Sequence, residues 1–167
     1  TSISNTQVFT GWGGRIADRL NSSSNPSGLI PMITSIAGSQ LFTTGQSTLP
    51  LAIADSNTSL ANVLNPQGFT NTGGSARLTA FNQLRTYDLS SNYIAAASHI
   101  TDLAMQANAA LQSSQEVTVT FPNTGIGRQL KQVARLIKKR NDLSVTRQIF
   151  YCQIGGFDTH NNQIPSH

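Results

Sequence analysis

Charge is scarce in this chain. Asp and Glu number only 7 against 11 Lys and Arg, so 11% of the 167 residues are charged and the balance is +4. The excess comes from missing acids, and it permits nucleic acid, an anionic surface or a phosphate ester as partner without choosing among them. Cysteine is nearly absent. Cys152 is the single one, which excludes an intrachain disulfide and a cysteine-built zinc site. Its apolar surroundings in sequence suit an inert buried thiol better than a nucleophile. No apolar run approaches the roughly 18 residues of a membrane span, and no signal peptide opens the chain. The Gly-x-Ser-x-Gly elbow, the P-loop and the dinucleotide fingerprint are missing too. Gly125-x-Gly127 opens a helix but lacks the preceding strand and the third glycine. No repeat of solenoid length occurs.

Ser, Thr, Asn, Gln and Gly carry the polarity instead, a composition that suits a secreted or periplasmic surface. A hydrophobic fraction of 38% in clusters is enough for one core, so the expectation is one domain rather than a disordered chain. The chain opens without Met at Thr1 and stops at His167 soon after its most distinctive loop. Residues 1–167 are therefore expected to be a single incomplete α/β domain, the middle of a longer polypeptide.

Several elements are readable in order. Thr10 to Leu20 is a helix, capped by Thr10, with Trp12, Ile16 and Leu20 on one face. Gly11, Gly13 and Gly14 weaken its first turns, which implies close approach of another backbone. Leu29 to Ala37 is β-like, with Pro31 at an edge or lead-in position. Gln40 to Thr44 and Leu49 to Ala54 read as short strands around a Gly45-Gln46-Ser47 turn. Asp55 to Gly74 is an irregular excursion anchored by Leu60, Val63, Leu64 and Phe69, and an excursion of that length is often functional.

Ser75 to Tyr87 and Ser91 to Gln115 follow as helices, with a link at Asp88-Leu89-Ser90 short enough for a hairpin. The apolar faces expected to pack are Ala80, Phe81, Leu84 and Tyr87 in the first. In the second they are Tyr93, Ala97, Ile100, Ala104, Ala107 and Leu111. Val117 to Thr120 reads as a short strand. Asn123 or Thr124 then caps a clear helix, Gly125 to Arg140, with Ile126, Leu130, Val133 and Ile137 on its apolar face. Arg128, Lys131, Arg135 and Lys138 form the opposite stripe. A solvated outer face is the expectation for that stripe, because no aromatic residues interleave with the cations as they do on nucleic-acid surfaces.

Val145 to Ile154 reads as a buried strand. With the basic amphipathic helix before it and the helical hairpin further upstream, it makes the fold class α/β and helix-rich. The strand runs into Gly155 and Gly156, which shape a loop where positive φ or the close approach of a ligand is allowed. Ligands of open α/β sheets bind outside the carboxyl ends of strands. Asp158 and His160 stand two residues apart on that loop, so an extended backbone points both to one side. A carboxylate and an imidazole that converge can ligate a divalent metal or act as an acid/base pair. A turn closed by Asp and His with no ligand is the competing reading. A metal needs three or four donors; His99, beside Asp102 on a helix flank, is expected to be solvated.

Four stretches together resemble the bacterial family called domain of unknown function 1501. They are Phe9 to Arg15, Leu49 to Ile53, Phe121 to Ile137, and Gln148 to Tyr151 continuing through Gly155 to Gln163. The resemblance implies an alkaline phosphatase-like three-layer fold, related to the sulfatases. Members of that family are typically exported to the periplasm, many by the twin-arginine route. It implies a two-metal site at strand ends that hydrolyses small anionic phosphate or sulfate esters. Asp158 and His160 are the positions that correspond to a metal-ligand pair, although their spacing departs from the common Asp-x-x-x-His form. The nucleophile and the remaining ligands would lie in the rest of the parent chain. Divalent metals are then expected in the full-length protein and no tight binding by this segment, which is expected to be inactive alone. A non-catalytic, envelope-associated binding or scaffold protein on the same fold is the alternative.

Overall fold

The structure, a computed structural model, describes residues 9–64, 69, 71–112 and 116–157. Among them are four helices, α1 (Trp12–Ser24), α2 (Gly74–Arg85), α3 (Asn92–Leu111) and α4 (Gly125–Lys138). Three short strands, β1 (Ile33–Ser35), β2 (Leu51–Ala52) and β3 (Ile149–Tyr151), form one parallel sheet in the order β2-β1-β3. The protein is thus mixed α/β, with β1 central and Pro31 just ahead of it, where its missing N–H interrupts no ladder. Thr34 of β1 pairs with Leu51 on one side and Phe150 on the other.

Side-chain alternation along the strands sends residues to two apolar layers. Ile33 and its partner Ile149 face Ala17 and Leu20 of α1 and Phe42 of the β1–β2 connection. Leu51, Phe150, Ile36 and Ile53 face the other way, onto Leu60, Ala107 and Leu111 of α3, and Leu136 of α4. Helical layers therefore cover both faces, as a parallel sheet requires. The two connections run in opposite directions along the sheet and pass over opposite faces, as right-handed crossovers must.

Several expectations change in the folded chain. The segment expected as a strand at Gln40 to Thr44 is a short 3-10 helix, Leu41–Thr43, and it meets α1 face to face. Helix α1 is capped by Gly11 rather than Thr10, whose hydroxyl and carbonyl instead accept from Arg15. Its buried face is Gly13, Gly14 and Ala17, while Trp12 is 60% exposed. The glycines win because a Cβ on Gly11 or Gly14 would lie 2.1 Å from backbone atoms of Leu41 or Thr44. The close backbone approach expected of them is therefore real.

Val117 to Thr120 forms no strand. The strand expected over Val145 to Ile154 narrows to three residues, and β3 is half-buried because it lies at the edge of the sheet. Cys152 is accordingly half-buried, with its thiol pushed up by burial. In the excursion after β2, Leu60 is fully buried, Val63 and Leu64 pack on the core and the Phe69 ring meets Phe81 at a tilt of 47°. The α2–α3 hairpin closes through Arg85, which pairs with Asp102 at 2.8 Å and donates to the Ser98 hydroxyl. Its apolar faces do not pack as expected. Leu84, Tyr87, Tyr93 and Ile100 are exposed, and of the expected stripe Ala107 and Leu111, at the carboxyl end of α3, reach the core, joined by Ala110.

Candidate functional site

The carboxyl ends of all three strands lie along one edge of the sheet, since the strands are parallel. Beyond β3 the chain is steered by α4. The Gln129 side chain brackets the Gln153 peptide, donating through Nε2 to the carbonyl and accepting from the N–H through Oε1, both at 2.8 Å. This amide replaces a missing strand neighbour and fixes where the chain leaves the sheet. Ile154, Gly155, Gly156 and Phe157 are then exposed. Gly156 has φ +91°, a backbone that L side chains adopt at a cost of about 1 kcal/mol or more. A Cβ on either glycine would meet nothing within 4 Å. Asp158 and His160, the expected metal pair, lie outside the described residues.

Two other groups stand at the same edge. Ser35 ends β1 fully buried, its hydroxyl donating to the Gly38 carbonyl at 2.5 Å and accepting from the Ala37 N–H. Asp55 follows β2. It accepts from the Asn57 N–H at 3.0 Å and from Arg128 Nε at 2.9 Å, and these bonds hold its carboxyl below the ordinary range. A cavity of about 260 Å3 opens beside it, lined by Ser56, Asn57, Asn123, Arg128 and Lys131. Both cations are already matched, Arg128 by Asp55 and Lys131 by Glu116.

The basic stripe of α4 is not a solvated face. Of the two expected caps, Asn123 and Thr124, it is Thr124 that caps the helix, by accepting from the Gly127 N–H. Arg135 turns inward, Arg128 and Lys131 are half-buried in ion pairs and Lys138 stays exposed, while Leu130 and Ile137 of the expected apolar face are each 45% exposed. Arg135, 7% exposed, grips both oxygens of Glu116 and donates to the Ser56 and Thr58 carbonyls and to Gln132 Oε1. Arg135, then Lys131, hold the Glu116 carboxyl below its usual range. Gln132, fully buried, donates to the Ala54 and Thr58 carbonyls. These residues tie down the start of the long excursion, whose backbone has no ladder of its own to satisfy it. A Gln inside a basic stripe was the only sequence sign of this arrangement.

At the opposite, amino-terminal edge of the sheet, a cavity of about 490 Å3 lies between α1 and α3, and His99 and Leu103 help line it. Asp18 of α1 also reaches it, but its carboxylate is saturated by the backbone N–H groups of Gln46, Ser47 and Thr48 and by the Ser47 hydroxyl. Partial burial pushes this carboxyl up, yet the four hydrogen bonds outweigh it and hold the group far below the carboxylate range. Asp102, beside His99 in sequence, is taken by Arg85.

Among the described residues no three His, Cys, Asp or Glu side chains converge as a metal ion requires. Nor, among them, is any helix long and apolar enough to cross a membrane. No family model, curated protein or solved structure matches the chain.

Proposed function

We propose that the chain carries part of the site of an exported sulfatase- or phosphatase-like protein that hydrolyses small anionic esters. The fold proposed with it is the alkaline phosphatase-like three-layer one, and the location the periplasm. The observation that carries the reading is the exit from β3. A parallel sheet sends this strand, at its carboxyl end, into an exposed glycine loop directly ahead of Asp158. In open α/β folds that is where ligands bind. Gly156 supplies the left-handed turn, and Gln129 holds the strand end that the turn leaves from. Asp158 and His160 contribute two ligands to divalent metals, with further donors and the nucleophile elsewhere in the full-length protein. The metals would supply Lewis-acid stabilisation of charge on the transferred group.

The test is metal analysis of the full-length protein beside its Asp158→Ala and His160→Ala variants. Each variant is expected to lose bound metal together with ester hydrolysis. Metal content unchanged in both removes the assignment. Wild-type protein with neither metal nor esterase turnover favours a scaffold instead.

A further inference from the structure

Among the described residues β3 is an edge strand with no neighbour on its outer side. In a parallel pairing, alternate residues turn both peptide groups toward the same neighbour. The Ile149 N–H donates to Met32, and the Tyr151 carbonyl accepts from the Ile36 N–H, each at 2.9 Å. Ile149 and Tyr151 thus face β1, which leaves Gln148, Phe150 and Cys152 turned to the outer edge. Their peptide groups have no backbone partner among the described residues. Beside that edge runs a groove of about 560 Å3. Leu20 and Met32 wall it from the α1 layer, and Ile137, Val145 and Phe150 from the α4 layer. The groove therefore lies in line with the sheet, between its two covering layers, where a further strand would lie. Gln148 Nε2, buried in its wall, has no acceptor among the described residues. At the same end of β3, Arg140 and Arg147 line the groove, and neither meets a carboxylate among the described residues.

We propose that this edge is a docking site for an extended acidic peptide segment, which adds to the sheet as a strand beside β3. Its backbone pairs with Gln148, Phe150 and Cys152; alternate apolar side chains enter the groove; a carboxylate meets Arg140 and Arg147. This is recognition by strand addition, in which main-chain bonds give affinity and side-chain pockets give specificity. Charge selects the occupant. A second copy would bring the same two arginines and a further +4, whereas an acidic segment neutralises them. The ester-hydrolase reading is not needed for this inference and does not depend on it.

The test uses synthetic peptides of about ten alternating Val and Thr residues, the length of an ordinary strand. Two glutamates are placed at one terminus or the other, to allow either strand direction. Control peptides carry lysines for the glutamates, or a central proline. Binding is followed by fluorescence anisotropy and by amide hydrogen exchange. One of the acidic peptides is expected to bind and to slow exchange at Phe150 and Cys152 by about tenfold or more, with Ile149 and Tyr151 little changed. Arg140→Glu combined with Arg147→Glu, both at exposed positions, should weaken binding by about tenfold or more. Binding without protection at Phe150 and Cys152, or equal binding of the lysine or proline peptides, overturns the proposal. So does no binding by either acidic peptide. Self-association of the protein with protection at those same amides overturns it in favour of a second copy.

Discussion

Two glycine-rich stretches, one at each end of the described chain, serve opposite purposes. Gly11, Gly13 and Gly14 lie where α1 presses on the Leu41–Thr44 backbone, and a methyl group on Gly11 or Gly14 would overlap main-chain atoms. Gly11 N–H also donates to the Thr44 carbonyl at 2.8 Å, so the two backbones are bonded as well as packed. A Cβ added to Gly155 or Gly156 would meet nothing within 4 Å. One stretch has no side chains because there is no room for them. The other has room to spare, and needs glycine only where φ is positive. Identical residues thus mark a closed structural joint in one place and an open loop in the other. Local sequence does not distinguish these; what stands opposite does.

The largest effect that would sharpen this contrast is expected from Gly14→Ala. Its Cβ would collide with Thr44 and Gly45 main chain, which cannot rotate away as a side chain can. A loss of more than about 3 kcal/mol is expected in urea unfolding. A loss below about 1 kcal/mol would show that the joint is slack.

Asp18→Asn comes next, because Asp18 holds the same loop to α1 from the other side. Replacing one carboxylate oxygen by an amide turns a donor toward backbone N–H groups, at a cost of about 1–3 kcal/mol. The pH dependence follows with a definite sign. The folded carboxyl ionises well below the unfolded one, so its contribution is complete above about pH 4 and fades as the pH falls toward the folded value. Unfolding of wild type and variant should therefore converge as the solution is acidified through that window. A gap that stays constant across it would mean that the carboxylate's charge contributes nothing.

Gly156→Ala should cost about 1 kcal/mol through backbone strain alone, seen as a small drop in thermal stability. Gly155→Ala should change stability by less than about 0.5 kcal/mol, since its φ is ordinary and its surroundings are empty. If Gly155→Ala proves as damaging as Gly14→Ala, the comparison fails.

Helix α4 shows how far a sequence reading reaches. Its start at Gly125 after a cap at Asn123 or Thr124, and its segregation into an apolar and a basic stripe, were readable, because each depends on residues within a turn or two. Which stripe faces inward was not. A stripe of cations turns to water unless other groups satisfy it, and here Asp55, Glu116 and several carbonyls do so from more than fifteen residues away in sequence. The α2 and α3 stripes are equally periodic in sequence, yet they lie largely exposed, because periodicity records a face without recording what covers it. Gln129, which holds the end of β3, carried no signal at all. A single amide becomes informative only once its partner, the Gln153 peptide, stands opposite.

The sequence by itself determined where α4 begins, that the glycines of α1 meet another backbone, that the fold is mixed α/β, and that β3 empties into a glycine loop. These follow from capping, periodicity and steric allowance, all of which act locally. Only the tertiary structure decided that Leu41–Thr43 turns as a 3-10 helix, that β3 is a half-buried edge, and that Arg135 of the basic stripe lies inside. Those outcomes depend on which polar groups end up opposite one another across the core. Desolvation makes that pairing decisive, and no residue carries it alone.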